Sequence, residues 1–146
     1  MHLVDSNVWI ALSLKDHVHH NAVKDWFASI SDPASLHFCR MTQLSFLRLA
    51  TTASVFALYG DPPATNVEAW GGFETLLADD RIVLREQEPK GIEPRLKEFS
   101  ARTNASPKLW MDAYLAAFAV TGGYQLVTTD AAFTQFPGLD LLLLGS

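Results

Sequence analysis

Two kinds of apolar segment alternate along the chain. Short runs without helical spacing predict buried strands at residues 3–4, 36–39, 81–84, 125–128 and 141–144. Between them, apolar residues recur at helical spacing, as at Val23, Trp26, Phe27 and Ile30 in a helix predicted over residues 17–30. Strands that alternate with helices are typical of a mostly parallel sheet covered on both faces, so the pattern predicts a three-layer α/β fold.

Capping and helix-breaking residues predict where the other helices begin and end. Hydroxyl side chains at Ser6, Thr42 and Ser106 can each cap a helix. The helix capped by Thr42 runs to about Thr51, and the one after Ser106, over residues 108–121, is apolar nearly all round and is expected to be internal. Two further helices are predicted, over residues 67–78 and from Pro94 to near Arg102.

Composition narrows the class of protein. The 146 residues are 49% hydrophobic, which fits one domain over residues 1–146 with its own core. No apolar run is long enough to cross a bilayer and the start lacks the features of a signal peptide, so we expect a cytoplasmic protein without a membrane partner. Cys39 is the only cysteine, which excludes an intrachain disulfide and a cysteine-based zinc site. The net charge of -5 argues against sequence-blind nucleic-acid binding through a broad basic surface.

Three aspartates lie in or beside apolar segments. Asp5 and Asp130 follow predicted strands, and Asp112 is the only charged residue between Leu109 and Gln125. Buried carboxylates are costly unless they are paired, protonated or bound to metal, and ligands collect where parallel strands end. Hard oxygen ligands favour Mg²⁺ or Mn²⁺ over zinc, and such ions assist hydrolysis of phosphodiesters. The sequence therefore predicts a metal site formed by these three residues.

Each aspartate also has a structural interpretation. Asp5 and Asp130 can cap the helices that follow them. Asp112 can form an ion pair with Lys108 at helical spacing. These alternatives remain open from the residues alone, although the three taken together favour a metal site.

Three segments that contain the aspartates resemble a known family. They read LVDSNVW at residues 3–9, WMDAYLAA at residues 110–117 and VTTDAAF at residues 127–133. They are similar to the signature segments of PIN-domain ribonucleases, in particular VapC toxins. The resemblance implies a PIN-like α/β/α sandwich and an endoribonuclease that depends on Mg²⁺, or Mn²⁺, for cleavage of RNA. It also implies a homodimer and a cognate antitoxin that holds the toxin inactive.

The resemblance further implies roles for individual residues. Asp5, Asp112 and Asp130 would be the catalytic metal ligands, and Asn7 and Thr128 would organise them. Both polar residues are equally suited to bonding the backbone, and both roles can hold at once.

One position departs from the family pattern. The family usually has a glutamate in the helix after the second strand, before a Phe-Leu-Arg segment, and Ser45 stands there. Gln43 or Ser45 would then offer a neutral oxygen, with weaker metal binding. The alternative is a non-catalytic PIN-like protein that binds RNA or a partner. RNA specificity is expected to come from the shape of the cleft and from scattered basic residues such as Arg40, Arg48 and Lys108.

Overall fold

A five-stranded parallel sheet forms the centre of the computed structural model, which describes residues 1–145. Its strands are β1 (His2–Val4), β2 (Leu36–Cys39), β3 (Ile82–Arg85), β4 (Gln125–Thr128) and β5 (Leu141–Leu143). The spatial order is β3-β2-β1-β4-β5, and every neighbouring pair is parallel. The prediction of an α/β fold with a mostly parallel sheet is confirmed.

Helices cover both faces of the sheet. They are α1 (Ser6–Ser13), α2 (His20–Ser29), α3 (Arg40–Ala50), α4 (Ala53–Ala57), α5 (Asn66–Leu77), α6 (Ile92–Ser100) and α7 (Leu109–Gly122), with a 3₁₀ helix at Ala131–Gln135. Because side chains alternate along a strand, Leu3 and Leu126 join one core with α6 and α7. Val4 and Val127 join a second core with α1, α2, α3 and α5. These two cores make the three layers.

Several predicted helix starts and caps were wrong. In two cases the reason is that a side-chain hydroxyl forms another hydrogen bond near the first turn. Helix α3 begins at Arg40, and Thr42 lies inside it, where its hydroxyl accepts from the Cys39 N–H at 3.0 Å. Ser106 does not cap α7, since its hydroxyl donates to Asn104 and Lys108 occupies the capping position. Helix α2 begins at His20 rather than at residue 17.

Helix α6 begins at Ile92, two residues before Pro94. Proline is tolerated there because the N–H groups of a first helical turn have no partner within the helix. Strand β3 lies one residue later than predicted, strand β5 ends one residue earlier, and α4 was not predicted.

Helix α7 is not internal throughout, which corrects the expectation from its apolar composition. Trp110 and Met111 in its first turn are 60% and 55% exposed, whereas residues 115–119 are buried. This first turn presents apolar surface to solvent beside Asp112.

Over residues 1–145, none of the helices combines the length and apolar character needed to cross a membrane.

Candidate active site

The three aspartates lie at the carboxyl edge of the sheet. Asp5 follows β1 directly and Asp130 follows β4, and these two strands are neighbours. Asp112 comes from the first turn of α7, which packs on the same face as Leu3 and Leu126. Parallel strands therefore bring together residues that are more than a hundred positions apart in sequence.

The electrostatics of the edge show that these carboxylates affect one another. Asp5 is 8% exposed, and burial raises its pKa to about 6, with the charges of Asp112 and Asp130 adding to the rise and the bond from Thr128 opposing it. Partial burial, followed by the charge of Asp130, also raises the pKa of Asp112. In the part of the chain that the structure describes, no Lys or Arg forms an ion pair with any of the three. The three carboxylates therefore lie near one another without an ion-paired basic side chain from the described residues.

The hydroxyl of Thr128 is the centre of a hydrogen-bond network beneath the carboxylates. It donates to Asp5 Oδ2 at 2.8 Å and accepts from Asn7 Nδ2 at 3.3 Å and from the Asp130 N–H at 3.1 Å. Asn7 Oδ1 in turn accepts from the Thr129 N–H at 3.2 Å. Thr128 is fully buried, so the protein supplies every partner of its hydroxyl. Asn7 and Thr128 thus fix the position of Asp5 relative to β4.

The structural interpretations of the aspartates have different outcomes. Asp5 Oδ1 accepts from the Ser6 N–H at 2.8 Å, and Asp130 Oδ1 accepts from the Ala132 N–H at 2.9 Å, so both residues do cap helices. Over residues 1–145, the ion pair between Asp112 and Lys108 does not form. Capping uses one oxygen of Asp130 and leaves the other free for a ligand, so it does not compete with a role in the site.

Helix α3 presents Gln43 and Ser45 on different sides. Gln43 is 3% exposed in the first turn, and its Oε1 accepts from Arg40 Nη1 at 2.6 Å. Ser45, two residues later, is half-buried, and its hydroxyl has no hydrogen-bond partner among residues 1–145, so the network around Thr128 does not include it. Of the two neutral candidates, Gln43 is the buried one with a positioned oxygen.

The donor set fits a hard divalent cation by its chemistry, since all three side chains offer carboxylate oxygens. Over residues 1–145, however, no three Asp, Glu, His or Cys side chains converge closely enough to share one ion. Asp5 and Asp130 are held by the backbone bonds described above, whereas the carboxylate of Asp112 makes no hydrogen bond within the same residues. Of the three carboxylates, that of Asp112 is therefore the one that no hydrogen bond within these residues holds in place.

An open cleft of about 540 Å³ borders Asp112 and Asp130. Arg102 and Lys108 also line it, as does Gln135 from the 3₁₀ helix. Arg102 and Gln135 were not predicted as site residues. They lie in an irregular loop and at the end of a short helix, where neither periodicity nor a motif marks them.

The chain is similar to known proteins in both sequence and fold. The sequence profile of the PIN domain matches residues 2–139. The chain is 54% identical over 144 residues to ribonuclease VapC41 of Mycobacterium tuberculosis, covering 99% of each chain. Among solved structures, it is similar to VapC20 of the same organism, a toxin that cleaves the sarcin-ricin loop, with a TM-score of 0.64, 17% identity and coverage of 95% and 98%. A VapBC2 complex of Rickettsia felis, bound to promoter DNA, matches with a TM-score of 0.64, 11% identity and 98% coverage of both chains.

Proposed function

The chain belongs to the PIN-domain family and, within it, to the VapC ribonucleases, and from this premise we propose that it is the metal-dependent endoribonuclease of a toxin–antitoxin pair. The observation that carries the proposal is the group of three carboxylates at one edge of the sheet, with Asp5 buried and none of them paired with a basic side chain within residues 1–145. A buried carboxylate of this kind is stabilised by a bound cation.

The proposed chemistry assigns a task to each residue. Asp5, Asp112 and Asp130 would hold Mg²⁺, or Mn²⁺ in its place. A bound divalent ion supplies positive charge that favours deprotonation of a water and offsets the charge developing on the phosphodiester. Thr128 keeps Asp5 in one orientation, because its hydroxyl donates to Asp5 Oδ2. Asn7 orients that hydroxyl, because its Nδ2 donates a hydrogen bond to the hydroxyl oxygen.

Cleavage of total cellular RNA by the purified protein tests this proposal. We expect discrete fragments with Mg²⁺ or Mn²⁺ and none with a chelator, because without a cation the carboxylates repel the anionic backbone and cannot offset the negative charge that develops on the phosphodiester. Restoring the metal after chelation should restore the same fragments. Intact RNA under every metal condition, from folded protein free of other chains, would contradict the nuclease and favour the non-catalytic PIN-like binding protein.

We further propose that an antitoxin segment covers the apolar groove beside α7. This groove has a volume of about 440 Å³ and includes the exposed side chains of Leu44, Trp110 and Met111. The structural neighbours include toxin–antitoxin complexes, and an apolar peptide face with a basic end would suit both the groove and the acidic edge.

The groove can be tested by measuring capture of the proposed antitoxin. Trp110→Ser should weaken capture of the antitoxin by about tenfold or more, since exposed aromatic residues dominate such contacts. Val67→Ser, at a side chain that is 82% exposed on α5, is the matched control. Equal capture by both variants would place the antitoxin elsewhere.

The homodimer and the cytoplasmic location are also proposals. Light scattering of the purified protein tests the first, and cell fractionation tests the second.

A further inference from the structure

The cleft beside the aspartates carries charges of both signs that do not pair. Asp112 and Asp130 line one part of it, and Arg102 and Lys108 line another. Within residues 1–145, neither basic side chain forms an ion pair with either acid. Opposite charges in one cleft would normally be expected to associate, so this separation leaves the acids available to a cation and the bases available to an anion.

Arg102 is held in place from the same element that carries Asp130. Its Nη2 donates to Gln135 Oε1 at 2.6 Å, and Gln135 Nε2 donates to the Ala132 carbonyl at 2.9 Å. The Ala132 N–H in turn donates to Asp130 Oδ1 at 2.9 Å. A continuous set of bonds along the 3₁₀ helix therefore sets the guanidinium at a defined place relative to the candidate metal ligand.

We propose that Arg102, positioned by Gln135 and assisted by Lys108, binds a backbone phosphate of the RNA next to the one that is cleaved. The inference rests on the proposed ribonuclease function and adds the residues that hold the substrate in register. A guanidinium suits this task because it stays charged and donates two parallel bonds to phosphate oxygens. The cleft volume of about 540 Å³ is within the usual range for a small-ligand site.

The charge balance of the chain makes a local subsite important. With a net charge of -5, the protein offers no general attraction for RNA, and repulsion from the acidic edge opposes the approach of a phosphate. Arg102 lies in the same cleft and is bonded to Gln135, so its positive charge attracts the RNA backbone at that place. Loss of Arg102 should therefore have a larger effect on RNA binding than loss of a basic residue on another surface.

Binding of a short single-stranded RNA, measured by fluorescence anisotropy in protein that also carries Asp112→Asn, tests the subsite without cleavage. We expect Arg102→Gln to weaken binding about tenfold, as for a lost hydrogen bond between charged groups. The slope of log affinity against log salt should fall by about 0.7 for one lost phosphate contact on a single strand. Gln135→Leu removes the hydrogen bond that holds the Arg102 side chain but keeps its charge. This variant should therefore weaken RNA binding less than Arg102→Gln does. Lys24→Gln removes an exposed positive charge from α2 and should leave binding unchanged.

A scan of the RNA with single neutral methylphosphonate linkages locates the contact. One linkage should weaken binding to the parent protein and have no further effect on the Arg102→Gln variant. Additive losses at every linkage, equal effects of Arg102→Gln and Lys24→Gln, or no binding of RNA by the parent protein would each overturn the subsite. Cleavage by the unaltered protein is scored separately, so failure of the nuclease proposal and failure of the subsite give different results.

Discussion

Replacing Asp112 by asparagine is expected to lower the rate of RNA cleavage by roughly 10²- to 10³-fold, the range for removing one group that helps to stabilise charge in a transition state. The protein should remain folded, because the Asp112 carboxylate has neither an ion pair nor a hydrogen bond within residues 1–145. Partial burial and, after it, the charge of Asp130 raise the pKa of Asp112, so a neutral side chain at this position removes a desolvation cost and a repulsion. Cleavage rates and thermal unfolding, measured side by side, check both parts.

Asp25 gives a matched control for this change. It is exposed on α2, so Asp25→Asn removes the same charge far from the candidate site and should cleave RNA at the parent rate. Asp130→Asn should also lose cleavage yet stay as stable as the parent, because asparagine caps helices about as well as aspartate. Asp5→Asn should lose cleavage and also some stability, because an amide nitrogen in place of Asp5 Oδ2 cannot accept the bond from the Thr128 hydroxyl. Full cleavage by the Asp112→Asn protein would remove Asp112 from the mechanism.

Replacing Thr128 by valine is expected to lower the free energy of unfolding by about 2–4 kcal/mol, although the two side chains have nearly the same shape. Valine leaves Asp5 Oδ2, Asn7 Nδ2 and the Asp130 N–H without the partner that the hydroxyl provides. Thr128 is fully buried, so water does not readily take its place. Urea unfolding followed by circular dichroism measures the difference.

Thr128→Ser separates the hydroxyl from the shape of the side chain. Serine keeps the three hydrogen bonds and loses one buried methyl group, which costs about 1 kcal/mol. Its RNA cleavage should stay near the parent level, whereas that of the valine protein should fall, because Asp5 is no longer held in one orientation. Equal stability of the serine and valine proteins would mean that the network contributes little.

Much of the sheet follows from local sequence, and the helix ends do not. Short, mainly apolar runs identify every strand to within about a residue, since a parallel strand is largely buried on both faces. The beginning of α3 depends on Thr42, whose hydroxyl bonds to the Cys39 N–H from inside the helix, in a way that composition does not reveal. Helix α4 has only five residues, which is too short for a helical repeat of apolar positions to mark it.

The residues of the candidate site also fall into those that the sequence indicated and those that it did not. Asp5 and Asp130 were predicted as site residues because each directly follows a strand or lies close after one, whereas Asn7 and Thr128 were implied only by the resemblance to the family. Arg102 and Gln135 were not predicted, because a bond between residues 33 positions apart, from a loop to a short helix, leaves no periodic signal. The role of Ser45 stays a prediction, and so does that of Gln43, which is buried and whose side-chain oxygen accepts from Arg40.

The bond between Thr128 and Asp5 joins residues 123 positions apart, which has a consequence for synthesis of the protein. A chain growing on the ribosome carries Asp5 from the start but lacks β4, Thr128 and Asp130 until most of its length has been made. Pairing of β1 with β4 must then close a long loop, a step that is slow compared with the formation of local structure. The candidate nuclease edge is therefore assembled late, after most of the polypeptide has left the ribosome that produced it.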